Sequence, residues 1–328
     1  MVSQSSIYVD RRPVITTYYL QNGYLMVPGL FFKNTGVFVD WDFHSQSVVL
    51  TSDNRTLSFP SGQNFAEYYN KDTNQKQRDY LPTIITSLPD GTYVPLQYTA
   101  ETLGMRVSYD FQQIRTYIDT NTVPSSLPAI YYRGATDKKE VALTFDDGPD
   151  HLYTPRILDI LREKGVKATF FVVGTQVSYI PFVLKRIAQE GHEIGNHSWS
   201  HPDLSRLTTS EVIQQIQTTE QEAHRTAGYR TTLFRPPFGL FTKADLLTVH
   251  DLGYEMIMWS VDTLDWQGQT ADQILSTVKR EVSPGAIILQ HALITKPGLL
   301  EGSVRALPQI IDYLHSIGYE FVTVGSLI

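Results

Sequence analysis

Residues able to do chemistry gather in five short clusters in the C-terminal half of the chain. The first is Thr144-Phe145-Asp146-Asp147-Gly148-Pro149, where an apolar run over 141–145 leads into two adjacent carboxylates and a Gly-Pro turn. Neighbouring side chains on a regular strand point to opposite faces. A turn beginning at the aspartates would bring both to one cavity, where one could hold a cation and the other act as a base. The second cluster is Gly195-Asn196-His197-Ser198-Trp199-Ser200-His201. Histidines at i and i+4 share a face of a helical turn, so their rings can converge on one ion. With Asp147, the pair His197 and His201 gives three N/O ligands and leaves a fourth position for water or substrate, the pattern of a catalytic zinc-type site.

The third cluster, Phe234-Arg235-Pro236-Pro237-Phe238-Gly239, has two prolines that fix the backbone and a glycine that frees it again. It predicts Arg235 at the mouth of the site, able to pair with a carboxylate. The fourth, Trp259-Ser260-Val261-Asp262-Thr263-Leu264-Asp265-Trp266, follows an apolar strand at 256–258. The fifth, Ile287-Ile288-Leu289-Gln290-His291, is a buried strand ending in a histidine. His151, His192, His224, His250 and His315 fall outside these clusters and are expected to be structural or surface residues.

The elements that carry these clusters alternate regularly. The pattern predicts strands near 141–145, 168–173, 192–196, 231–234, 254–259, 286–290 and 320–324. Helices are expected near 155–164, 180–190, 210–226, 242–252, 270–282 and 303–317. Ile157, Leu158 and Leu161 mark one face of the first helix, and Gly165 its end. Repeated strand–helix units imply a parallel sheet with crossover helices. Their number approaches a (β/α) barrel, in which chemistry sits at the C-terminal strand ends. All five clusters fall at such ends.

Residues 1–120 follow a different grammar of strands and turns, with an internal repeat. One copy reads Leu25-Met26-Val27-Pro28, Gly36, then Val39-Asp40-Trp41-Asp42-Phe43. The other reads Thr92-Tyr93-Val94-Pro95, Gly104, then Val107-Ser108-Tyr109-Asp110-Phe111. The Val-Pro pairs lie 67 residues apart and the Asp-Phe pairs 68. Each copy predicts a strand, a short helix ending near the glycine, and a hairpin turning at the aspartate, with returning strands at 48–50 and 116–118. The stretch 121–137 reads as a linker, its first part rich in proline and serine. The third segment, 138–328, holds the clusters.

Composition narrows the partners. A net charge of −7 without a Lys/Arg run argues against nucleic acid and against a polybasic membrane anchor. No stretch approaches the ~20 apolar residues of a membrane span. The absence of cysteine excludes disulfides and thiolate ligands, leaving His, Asp and Glu to hold a metal. The first residues, Met1-Val2-Ser3-Gln4, lack the charged and apolar regions of a signal peptide.

As an ordered set, TFDDGP, H-x3-H, RPPFG, DxxDW and LxH resemble the NodB-homology polysaccharide deacetylases, carbohydrate esterase family 4, over about 138–325. Residues 1–120 resemble the small α+β module known as the copper amine oxidase N-terminal-like domain, which is not expected to carry copper. The first resemblance implies an α/β fold: a distorted (β/α) barrel, here preceded by the small α+β domain. It also implies a divalent metal, zinc first with cobalt or nickel compatible, and an acetylated polysaccharide substrate, peptidoglycan before chitooligosaccharide or acetylxylan. Carried over by position, Asp147, His197 and His201 are the metal ligands. Asp146 is the catalytic base, Arg235 its orienting partner, and His291 the general acid with Asp265 behind it. Trp266 and Leu289 wall the acetyl pocket, and the Phe238 N–H faces the oxyanion. Many members have Asp after the last histidine, where this chain has Ala292. The resemblance further implies an extracellular or wall-associated bacterial protein, with no protein partner evident. A wall-glycan-binding protein with a weak catalytic site is the competing expectation.

Overall fold

The computed structural model describes residues 3–120, 127–293 and 295–328. It divides into two compact units. One comprises Met1–Leu127, Leu204–Val212 and Phe241–Thr248; the other Pro128–Asp203, Ile213–Leu240 and Val249–Ile328.

The first unit is built from a seven-stranded and a five-stranded sheet. The internal repeat is visible in its pairing. The two Val-Pro strands, Tyr24–Pro28 and Gly91–Pro95, lie antiparallel with Val27 opposite Val94, so the two copies meet at a local two-fold. Each strand leads into a short helix, a 3-10 helix at Gly29–Thr35 in one copy and an α-helix at Leu96–Thr102 in the other. Gly36 and Gly104 follow with φ of 94° and 88°, the left-handed conformation that glycine adopts without steric cost. The hairpins Phe38–Asp42/Ser47–Ser52 and Arg106–Asp110/Arg115–Asp119 complete the copies as expected. The stretch 121–126, the Pro/Ser-rich part of the expected linker, lies outside the described residues.

The second unit carries a nine-stranded parallel sheet. Its path runs Ile130–Tyr131, Glu255–Ile257, Leu233–Phe234, Glu193–Asn196, Thr169–Val172, Glu140–Asp146, Ala286–His291 and Val261–Asp262, with Glu320–Phe321 pairing beside Glu140–Asp146. Helices link most successive strands, as the alternation predicts, the exceptions being Ile130–Tyr131 to Glu140–Asp146 and Glu255–Ile257 to Val261–Asp262; this is the α/β, distorted (β/α) barrel architecture. Strand faces separate cleanly. On Glu140–Asp146, Val141, Leu143 and Phe145 join the large cluster shared with the helices, while Ala142 joins an inner cluster with Phe171, Leu233, Ile257 and Ile287. The inner face therefore also receives Thr144 and Asp146. The helix expected near 180–190 is Pro181–Gln189; a separate short helix, Gly174–Tyr179, precedes it, and Pro181, which lacks the N–H a continuous helix needs, opens the second.

Candidate active site

Asp146 ends its strand, and Asp147 takes φ of 74°, which turns the second carboxylate toward the same pocket. Strand alternation alone would have sent it to the other side. The histidine pair arrives differently from the sequence expectation. Residues 197–203 form a loop after Glu193–Asn196, not a helical turn. Ser198 and His201 adopt φ of 67° and 58°. The Asn196 side chain accepts the Ser198 N–H at 2.9 Å, and the Gln215 Oε1 accepts the N–H groups of Trp199 and Ser200, each at 2.9 Å. These side chains satisfy backbone donors that a helix would have paired internally, and so hold a tight turn that still converges the two rings.

The Asp147 Oδ1 lies 3.4 Å from His197 Nε2 and 3.3 Å from His201 Nε2. One ligand atom from each of the three residues falls within 4.8 Å of the others. The chemistry of this donor set fits a divalent metal. Asp147 Oδ1 is buried without a hydrogen-bond partner, a state that would be costly unless another group satisfied it. The His197 Nδ1 sits 2.7 Å from the Arg235 carbonyl, which takes its N–H and leaves the Nε2 lone pair for an ion. Burial alone would raise the Asp147 carboxyl, but His197, His291 and His201 outweigh it and bring it down to about 2. Burial, then His197, lowers the His201 pKa. An ionised carboxylate beside a neutral imidazole is the protonation state that a metal ion requires.

Arg235 does not sit at the mouth. It is fully buried beneath the pocket, with its guanidinium 4.0 Å from the centre of the Phe171 ring. Its Nη1 donates to Asp146 Oδ1 at 2.7 Å and to Thr144 Oγ1 at 2.8 Å, and its Nη2 to the Met258 carbonyl at 2.9 Å. Burial disfavours the cation, and the paired Asp146 opposes that. The inner face of the sheet lets a charge lie this deep because each of the three guanidinium nitrogens meets an acceptor, Nε reaching the Ile257 carbonyl at 3.4 Å.

His291 ends the strand beside Asp146, the two being register partners. Asp265 holds it twice, accepting from the ring Nδ1 at 2.7 Å and from the backbone N–H at 2.9 Å. Burial would lower this histidine, but Asp265 foremost, then Asp147 and Asp146, raise it to about 9.

One pocket of about 430 Å³ is lined by both aspartates, His197, His201 and His291, with Phe238, Trp266 and Leu289 among its walls. Phe238 and Trp266 are 62% and 50% exposed, so they form rims rather than core. Phe238 holds φ of 59° and packs edge-on against His201 at 4.4 Å. Every residue expected at the site thus lies in this pocket or directly behind it. Three further residues belong to the site: Thr144, which shares Arg235, and Trp259 and Asp262, which line the pocket. Inward alternation from Asp146 marks Thr144. Asp262 ends the short strand Val261–Asp262; its half-buried carboxyl accepts the Leu264 N–H and is raised chiefly by burial. His192, outside the clusters, accepts the Ala168 N–H at 3.2 Å and is brought down to about 4 by burial first and nearby Lys167 next, so it is a neutral structural residue.

Residues 133–257 match the family described as polysaccharide deacetylase, and residues 1–118 the copper amine oxidase N-terminal domain. A peptidoglycan-N-acetylglucosamine deacetylase of Bacillus cereus is 46% identical over 199 residues, covering 61% of this chain and 72% of the relative. A crystal structure of a peptidoglycan N-acetylglucosamine deacetylase superposes with a TM-score of 0.58 at 46% identity, over 60% of this chain and 91% of the other. A carbohydrate esterase family 4 pseudoenzyme from Bacillus anthracis matches with a TM-score of 0.58 at 25% identity, over 90% of this chain and 92% of its own. The chain belongs to the polysaccharide deacetylase family.

Proposed function

We propose that this chain is a metal-dependent hydrolase that removes N-acetyl groups from N-acetylglucosamine units of peptidoglycan, acting at the bacterial cell wall outside the cytoplasm. The observation that carries this reading is the convergence, in one pocket, of an Asp/His/His triad, an arginine-held carboxylate and an aspartate-held histidine. Asp147, His197 and His201 would hold the ion, zinc by donor type, with cobalt or nickel also suited. Such an ion polarises an amide carbonyl and acidifies water.

The chain's own residues do the rest. Asp146, held in place by the Arg235 guanidinium, takes a proton from the attacking water, whose oxygen bonds to the amide carbon. The Phe238 N–H donates to the oxygen that gains charge. His291, kept protonated by Asp265, delivers a proton to the sugar nitrogen as the C–N bond breaks, giving acetate and a glucosamine unit. Trp266 and Leu289 hold the acetyl methyl and exclude solvent from it.

The same groups serve amides and esters, so chitooligosaccharides and acetylxylan are the competing substrates. Acetate release from peptidoglycan, chitooligosaccharide and acetylxylan, measured side by side, ranks them; faster release from acetylxylan than from either amide would refute the N-acetyl assignment. The likeness to a pseudoenzyme across nine-tenths of the chain favours a second reading, a wall-glycan-binding protein. Against it, every metal and proton-transfer position is filled here. Tight glycan binding without acetate release under any metal would establish it.

A further inference from the structure

The internal repeat preserves something that neither folding nor turn chemistry requires. Both copies end in a hairpin with the same four-residue loop, 43–46 after Asp42 and 111–114 after Asp110. Both aspartates cap their loops. Asp42 accepts the His44 N–H at 2.9 Å, and Asp110 accepts the N–H groups of Gln112 and Gln113 at 2.8 and 3.0 Å. Both loops close on a left-handed residue, Gln46 at φ 50° and Ile114 at φ 53°. An aspartate and a residue tolerated at positive φ suffice for such a turn. The loops nevertheless both begin with phenylalanine, and Phe43 and Phe111 are 80% and 85% exposed.

Each ring also has an aromatic neighbour. Phe43 packs edge-on against Trp41 at 6.5 Å and 79°, and Phe111 against Tyr109 at 4.8 Å and 81°. The same pair, an aromatic on the strand and a phenylalanine two residues on, therefore stands at both tips.

We propose that these two tips are secondary glycan-binding sites, at which Phe43 and Phe111 stack against sugar rings of the polysaccharide. The chemistry selects that occupant. A pyranose ring offers a face of C–H groups to an aromatic plane, and hydroxyls to neighbouring amides and imidazoles such as Gln112 and His44. Neither loop contains Lys or Arg, so neither attracts a phosphate polymer or an anionic lipid surface. A second protein is a poor fit. One aromatic side chain buries ~150–250 Å², well short of the ~800 Å² per partner of a stable interface. Weak, small, repeated contacts suit a polymer of identical units, in which each engaged tip raises the effective concentration at the other.

The test is co-sedimentation of the full chain with purified insoluble peptidoglycan, alongside turnover of a soluble chitooligosaccharide. The Phe43→Ala/Phe111→Ala double variant should lose at least about fivefold in pelleted fraction, with unchanged turnover of the soluble substrate. Phe→Tyr at both positions should restore pelleting. Wild-type pelleting by the double alanine variant, or failure of the wild type to pellet, overturns the proposal. So does a wild-type dimer, seen by sedimentation velocity, that the double variant abolishes, because the tips would then serve self-association. Absence of turnover on every substrate, with the pelleting pattern intact, would count against the catalytic reading alone.

Discussion

At the scale of single residues, the site separates two carboxylates that are adjacent in sequence by giving them different partners. Asp146 receives a buried guanidinium, and Asp147 two imidazoles. Asp146→Asn removes the proposed proton acceptor but leaves Asp147, His197 and His201 untouched. We expect turnover to fall by about three orders of magnitude or more, with zinc affinity within a few-fold of wild type by calorimetric titration. In the proposed mechanism His291 sets the alkaline limit. Its folded pKa, about 9, lies above the ordinary 6.5. Its stabilising contribution is therefore complete below about pH 6.5 and lost as pH rises through about 9. In metal-free protein, Asp265→Asn should move the His291 titration, followed by NMR, well below 9; an unmoved titration would contradict the assigned cause. That these residues gather in one pocket was legible in sequence because acid–base and metal-binding residue types are few and stood at strand ends. The depth of Arg235 was not, since an arginine after a strand gives no sign that Thr144 and two carbonyls wait below it.

At the scale of elements, strand and helix order was readable throughout the second unit because apolar periodicity there is strong. The histidine loop was misread as helical because i, i+4 spacing satisfies two geometries. Asn196 and Gln215 decide between them by taking the backbone N–H groups of residues 198–200. Gln215 lies on the helix Thr209–Ala227, far enough along the chain that no local pattern announces the contact. Gln215→Ala should leave the part-buried Trp199 donor without its acceptor and hand the exposed Ser200 donor to water. Metal affinity should weaken by ~10–100-fold, as for other outer-sphere partners, and stability should fall by ~1–3 kcal/mol. Metal affinity equal to wild type would show that the loop holds its shape without this side chain.

At the scale of the whole molecule, the chain changes grammar once, near 121–137, yet the first unit also includes Leu204–Val212 and Phe241–Thr248. Within that unit Lys33, fully buried, donates to the carbonyls of Leu204 and Leu207 at 2.8 and 2.7 Å and pairs with Asp245 at 2.7 Å. Asp245 in turn accepts the Thr242 N–H at the start of its helix. Sequence could not show this, because a buried lysine reads like any surface lysine and its partners lie about 170 and 210 residues further on. Lys33→Met strands a buried carboxylate and should cost ~3–5 kcal/mol, read as an earlier chemical-denaturation midpoint for this unit. The family assignment is legible at this scale too, since it rests on five clusters in order rather than on any one. The account stands most directly on acetate release from purified peptidoglycan by metal-stripped protein, with and without added zinc. It predicts release only with metal, abolished in His197→Ala and in Asp146→Asn although the latter still binds zinc. Equal release by metal-stripped and zinc-loaded protein, or by the Asp146→Asn variant, would contradict it.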